Sequence, residues 1–135
     1  MKKFEFLEHT ADIKFRVKGK NLNEIFENTA LAISDILGKG KKIKSLKKKK
    51  IMIKASDDKN LLYRFIDELI YLADAEGFIV SKAKVNIKGR NLSAVISGDN
   101  AKNYKDLDHI KAATYAEMEI KKTRAGWEAQ AVVDV

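Results

Sequence analysis

The stretch FIVSKAKVNIKGRNLSAVIS, Phe78 to Ser97, decides the fold. Its residues alternate with period two on both sides of Lys88-Gly89-Arg90-Asn91, a tetrapeptide with the chemistry of a tight hairpin turn. Two strands joined so closely must run antiparallel. Strands are therefore expected over Phe78–Lys88 and Asn91–Ser97. Downstream the same period returns over Ile110–Lys121 and Trp127–Val135, with Thr123-Arg124-Ala125-Gly126 as a second short connection. Upstream it marks Lys3–Leu7, Asp12–Lys18 and Lys50–Ala55.

Two segments carry helical period instead. Leu22 to Leu37 places Leu22, Ile25, Phe26, Thr29, Ala30, Ile33 and Leu37 on one stripe. Asn21 is its N-cap, Glu24 follows three residues on, and Gly38 is expected to end it in the left-handed conformation. A second helix is expected from about Asn60 to Glu76, with Asp57 and Asp58 near its positive end and Gly77 as its stop. The order is two strands, helix, strand, helix, then four strands. Such runs of strands imply an α+β fold, with mostly antiparallel sheets and two helices, rather than a wound parallel sheet. No internal repeat or linker divides the chain, so a single compact domain over residues 1–135 is expected. Seven strands also leave at least one sheet edge to be covered by something the pattern does not reveal.

Composition narrows the function classes. Hydrophobic residues make up 45% of the chain, enough for a buried core. There is no cysteine, which excludes disulfides, thiolate metal sites and a cysteine nucleophile. The start, MKKFEFLEH, lacks the apolar segment of a secretory signal, and no apolar run is long enough to span a bilayer. A soluble, cytoplasmic protein with no membrane contact is expected. The net charge is +8, and Lys39 to Lys50, KGKKIKSLKKKK, accounts for all of it with eight lysines and no acid. This run reads as a connection between two structured segments. It is either a solvated loop or, through Lys47, Lys48, Lys49 and Lys50, an electrostatic contact for RNA or an acidic partner. It has no interleaved aromatic residue on which bases could stack.

No glycine-rich phosphate loop opens a helix, no nucleophile elbow occurs, and His9 and His109 stand apart without metal-motif neighbours. Strand parity says more. Ile13, Phe15 and Val17 share one face, which leaves Asp12 on the polar side. In the last strand Trp127, Ala129, Ala131, Val133 and Val135 share one face, and Glu128, Gln130, Val132 and Asp134 the other. In the strand before it, an unbroken alternation puts Ile110, Ala112, Thr114, Ala116, Met118 and Ile120 opposite Lys111, Ala113, Tyr115, Glu117 and Glu119. Asp12, Lys111 and Asp134 thus fall at strand ends, off the main apolar face. The α-carboxylate of Val135 lies one residue from Asp134. Should these ends converge, the clustered carboxylates repel unless a cation joins them, and hard oxygen donors suit Ca²⁺ or Mg²⁺ better than Zn²⁺.

Four ordered blocks, EHTADIKF, NEIFENTALAISDIL, IKAATYAEMEI and the final GWEAQAVVDV, together resemble the archease family over nearly the whole chain. The resemblance implies a compact α+β domain and an accessory role rather than an enzyme. Archeases activate the RtcB-type tRNA-splicing ligase: they promote its guanylylation and repeated turnover and broaden its nucleotide choice beyond GTP. Some are described as chaperone-like modulators of a tRNA methyltransferase. The family binds a divalent ion, commonly calcium, so Ca²⁺ is expected here, with Mg²⁺ or Mn²⁺ as alternatives. Carried over by position, its ligands are Asp12, Asp134 and Val135, and its functionally required lysine is Lys111. The lysine run is outside the signature.

Other polar residues have two readings each. His9 either satisfies a turn or the core, or orients Asp12 from behind. His109 reads as a loop residue, and Thr10 and Thr114 as partners for backbone groups. Trp127 reads as core, and Tyr115 as either a cross-strand packing residue or a partner contact. The rival functional class is an RNA-binding module built on Lys39–Lys50. A metal-dependent hydrolase on Asp12 and Asp134 would need a positioned nucleophile that the sequence does not display.

Overall fold

The computed structural model describes residues 3–8 and 12–135. Among these, seven strands and two helices follow the expected order. They are β1 (Phe4–Leu7), β2 (Ile13–Gly19), α1 (Leu22–Gly38), β3 (Lys47–Lys54), α2 (Asp58–Glu76), β4 (Phe78–Lys88), β5 (Asn91–Asn100), β6 (Ala112–Thr123) and β7 (Gly126–Asp134). A 3₁₀ turn, Ala101–Asn103, follows β5 and was not foreseen. The strands form two antiparallel sheets, ordered β1-β2-β7-β6 and β3-β5-β4. The α+β reading therefore holds. The first sheet joins strands from both ends of the chain, and the second is built from its middle.

Both helices start and stop for local reasons. The Asn21 side chain accepts from Glu24 N–H at 2.9 Å, while the Glu24 carboxylate accepts from Lys20 N–H at 3.3 Å. Asp57 caps α2 by accepting from Asn60 N–H at 2.7 Å, and Gly77 ends that helix at φ 60°. The end of α1 differs from expectation. Gly38 stays helical, and the left-handed residues are Lys39 (φ 51°) and Gly40 (φ 81°). A Cβ at Gly38 would sit 3.3 Å from Ile43 Cδ1, a tight contact that a small shift of the isoleucine side chain relieves.

The helices pack against both sheets, and one continuous apolar core results. Phe26 and Phe65 meet edge-to-face across the two helices with centroids 5.4 Å apart. α1 also covers an open sheet edge. β4 is a border strand, and its Val85 and Ile87 N–H groups donate to Glu27 Oε2 and Asn23 Oδ1 of α1, each at 2.9 Å. Asn28 of the same helix donates to the Lys18 carbonyl of β2 at 2.6 Å. One helix thus ties the two sheets together with amide and carboxylate groups.

Two departures from simple alternation matter. β4 shifts register between Val80 and Lys82, opposite Gly98, where a Cβ would stand 2.2 Å from the Ile79 carbonyl oxygen. β6 shifts between Thr114 and Glu119: five steps along β6 match only the two from Val132 to Gln130 on β7. An odd surplus of residues reverses which side chains face inward. So Ala113 is buried beside Val133 and Ala112 is exposed, whereas Met118, at the far end of the irregular stretch, is buried as expected. The unbroken alternation expected for this strand is wrong before the bulge. Glu117, at φ 58°, lies within it.

The lysine run is also not one loop. Lys47–Lys50 belong to β3, which begins three residues before the expected start and pairs with β5 through Lys47↔Gly98 and Lys50↔Val95.

Candidate functional site

The first sheet brings together residues separated by most of the chain. Ile13 of β2 pairs with Val133 of β7, so Asp12 and Asp134 are the next residues on adjacent antiparallel strands. On the other side of β7, Ala112 pairs with Asp134, and Lys111 N–H donates to the Asp134 carbonyl at 2.7 Å. Asp12, Lys111 and Asp134 therefore flank one another at the same end of the sheet, with β7 in the middle. Asp134 and Lys111 are exposed, Asp12 is half-buried, and Val135 packs its side chain against the core. The three strand-end residues expected from parity are brought together. Lys111 itself precedes β6 and is held by its main chain rather than by strand alternation. His9 and Thr10 lie outside the described residues.

The neighbouring outer face of the sheet is a charged lattice. Lys14, two residues from Asp12, pairs with Glu117 at 2.9 Å, and Gln130 Nε2 donates to the Glu117 carbonyl at 2.8 Å. The β6 bulge is thereby pinned across β7 to β2. Arg16 meets Glu128 at 3.3 Å and Glu5 at 3.7 Å. Val132, expected on this outer side, is buried outside the main core.

Tyr115 does not pack across the sheet. Its ring stacks on Tyr63 of α2 with centroids 4.1 Å apart and planes 10° from parallel, and its hydroxyl donates to Asn60 Oδ1. It remains half exposed, so the pair ties β6 to α2 while keeping an aromatic surface near the strand start. His109 is exposed and meets Asp74 at 3.1 Å. Trp127 packs at the margin of the core, in agreement with expectation.

The acidic side chains at the sheet end, Asp12 and Asp134, offer carboxylate oxygens. That chemistry fits a hard cation of the calcium or magnesium type. Among the described residues no group of three or more His, Cys, Asp or Glu side chains could hold a metal ion.

A second polar cluster, unforeseen from sequence, lies at the end of β5. Asp99 is buried and accepts from Tyr104 Oη at 2.7 Å, Asn103 Nδ2 at 2.9 Å and Asn100 N–H at 2.7 Å. The Tyr104 hydroxyl holds its carboxyl below the usual range, aided by the Asn100 and Asn103 donors and opposed by burial. Burial raises Tyr104, whose hydroxyl also accepts from Lys44 N–H at 2.8 Å. Every acceptor is matched by a donor, so the cluster fastens the segment before β3 to the end of β5. The spacing Asp99…Asn103-Tyr104 was the available signal, and it resembles any loop.

None of the described helices is long and apolar enough to cross a membrane.

Comparison with known proteins places these observations in context. Residues 4–135 match the model of the Archease protein family. A protein archease of Methanosarcina barkeri is 38% identical, over 99% of this chain and 97% of its own. A protein archease of Sulfurisphaera tokodaii is 37% identical over the full length of both. The solution structure of Methanobacterium thermoautotrophicum protein 1598 superposes with a TM-score of 0.82, at 30% identity and full coverage of both chains. The crystal structure of an archease and possible chaperone from Thermotoga maritima has a TM-score of 0.64 over 96% of this chain and 94% of its own; at 20% identity it speaks for the fold alone.

Proposed function

The chain belongs to the archease family, and from that premise we propose that it is an accessory protein, not an enzyme, which activates an RtcB-type tRNA-splicing ligase. It promotes guanylylation of the ligase and its return to the active state after each turnover. The observation that carries the reading is the convergence of Asp12, Lys111 and Asp134 at one sheet end, held by the Ile13↔Val133 pair and the Lys111 N–H to Asp134 carbonyl bond.

A strand end with Asp134 and Lys111 exposed and Asp12 half-buried beside them can be presented to a partner's active site. There the carboxylates of Asp12 and Asp134 engage cationic groups or the ligase's own metal, and the Lys111 ammonium meets phosphate oxygens. Asp12, Asp134 and Val135 are the proposed ligands of a divalent ion, calcium first. When bound, that ion supplies the positive charge that lets two carboxylates share one edge. The Tyr63–Tyr115 stack, joined to the same strand, supports β6 from the helix side.

The test is multiple-turnover RNA ligation by the RtcB-type ligase of the same source, with GTP and divalent metal, and with this protein at substoichiometric amounts. Strong stimulation that disappears in Asp12→Ala and Asp134→Ala is expected. A ligase competent for one turnover but not stimulated by this protein would overturn the proposal.

A further inference from the structure

We infer that the outer face of the β3-β5-β4 sheet is a second binding surface, separate from the Asp12–Asp134 edge, which takes the phosphodiester backbone of folded RNA. Register carries the inference. Crossing the sheet from β3 through β5 to β4, the paired rows read Lys48–Ser97–Lys82, Lys50–Val95–Lys84, Met52–Ser93–Asn86 and Lys54–Asn91–Lys88. The opposite parity, with Ile51, Ile53, Leu92, Ala94, Ile96 and Val85, faces the core. Six lysines therefore stand in two lines along the border strands, with small and mostly uncharged side chains between them. Neighbouring lysines on one strand are about 7 Å apart, and the two lines about 10 Å.

All six lysines are exposed, and among the described residues none of their ammonium groups is in an ion pair. β3 and β4 contain no acid. The single acid of β5, Asp99, is buried under Tyr104 and Asn103 at the far end. Glu27, on the helix beside β4, is bound to Val85 N–H. Lysines that merely guard a sheet edge against other strands would be needed on β3 alone, because α1 already covers β4. Their presence on both borders, on the same face, points to a ligand lying across the sheet.

The chemistry selects the ligand class. A flat cationic face matches a polyanion. It has no aromatic ring, so it offers no platform for unstacked bases. Ser93, Asn91 and Asn86 supply hydrogen-bonding groups on the floor between the lysines. That combination suits a helical stem, which proteins read through phosphates and 2′-hydroxyls. The charge excess, expected to sit in one connection, is thus partly a face shared by two distant strands.

The experiment measures binding of a fluorescently labelled RNA stem-loop to the isolated full-length chain by anisotropy, without ligase, over a series of salt concentrations. With four to six lysine–phosphate contacts the affinity should fall by roughly 50-fold or more between about 50 and 200 mM salt. The quadruple variant Lys48→Gln, Lys50→Gln, Lys82→Gln, Lys84→Gln should lose at least ten-fold in affinity at low salt and flatten the salt slope by about three. A control with the same charge change elsewhere, Lys3→Gln, Lys102→Gln, Lys105→Gln, Lys122→Gln, should retain most of the binding. Circular dichroism melts confirm that both variants fold. Equal losses in the two variants, or no RNA binding by the parent chain at low salt, would overturn the inference. So would tighter binding of polyglutamate than of RNA, which would assign the face to an acidic protein. None of these outcomes depends on whether the ligase is activated.

Discussion

Asp134, proposed to act on the ligase, contributes little to the fold. Its side chain is exposed, and its carbonyl, not its carboxylate, holds Lys111. Asp134→Asn should therefore move the melting temperature by no more than about 2 °C, while stimulation of the ligase falls at least ten-fold. A ligation assay and a thermal melt on the same preparation separate the two effects. Asp99 and Tyr104 behave in the opposite way. The depressed carboxyl of Asp99 contributes stability that is complete above its unfolded value near pH 4 and is lost as pH falls through the lower folded value. The raised hydroxyl of Tyr104 contributes below its unfolded value near pH 10, and that contribution is lost as pH rises. Tyr104→Phe should cost about 1–2 kcal/mol at neutral pH. It should also lessen the difference between urea stabilities at about pH 7 and pH 3, and remove the tyrosine's alkaline loss. An unchanged acid limb would show that Tyr104 does not hold the Asp99 carboxylate.

At the scale of elements, the sheets depend on places where the alternation breaks. Gly98 faces the irregular part of β4, and a methyl group there would overlap the Ile79 carbonyl at 2.2 Å. Gly98→Ala should destabilise by about 2–4 kcal/mol. Gly40→Ala, in open space at φ 81°, should cost only about 1–2 kcal/mol from backbone strain. Urea midpoints of the two variants test the ranking. The border of β4 depends on α1 in a similar way. Glu27→Ala and Asn23→Ala each leave a strand N–H without its partner and should cost about 1–2 kcal/mol. Faster amide exchange at Val85 and Ile87 respectively would identify the cause.

On the scale of the whole molecule, β7 is one of the two inner strands of a sheet assembled from both ends of the chain. Pairings such as Ile13↔Val133 close over a hundred residues and commit the fold to non-local contacts. Such topologies fold in milliseconds to seconds rather than microseconds. Removing Gly126–Asp134 should abolish the cooperative unfolding transition, whereas removing the border strand Phe4–Leu7 should lower the midpoint and leave the transition cooperative. Equal effects from both deletions, seen by calorimetry, would contradict the central role assigned to β7. The same closure builds the candidate site, so folding of this sheet and formation of the Asp12–Asp134 edge are one event. The lysine face belongs to the other sheet and should survive substitutions at that edge.

The helices, the hairpin at Gly89 and the α+β class were legible because their signals are local: a period, a cap, a turn residue. The blocks around Asp12, Lys111 and Asp134 pointed to a candidate site through resemblance, and parity put those residues at strand ends. What the chain's pattern could not supply was pairing. Nothing local announces that three surplus residues in β6 reverse its inward face, or that Glu27 and Asn23 serve a strand edge about sixty residues away. The lysines of β3 looked like a loop because four consecutive charges hide a period of two. Only the register with β5 aligned them with Lys82, Lys84 and Lys88. Sequence alone determined where the chain turns and which residues seek the core, since both follow from nearest neighbours. Tertiary structure decided which distant side chains share a face, because that depends on strand register, and register is set by the packing of the whole.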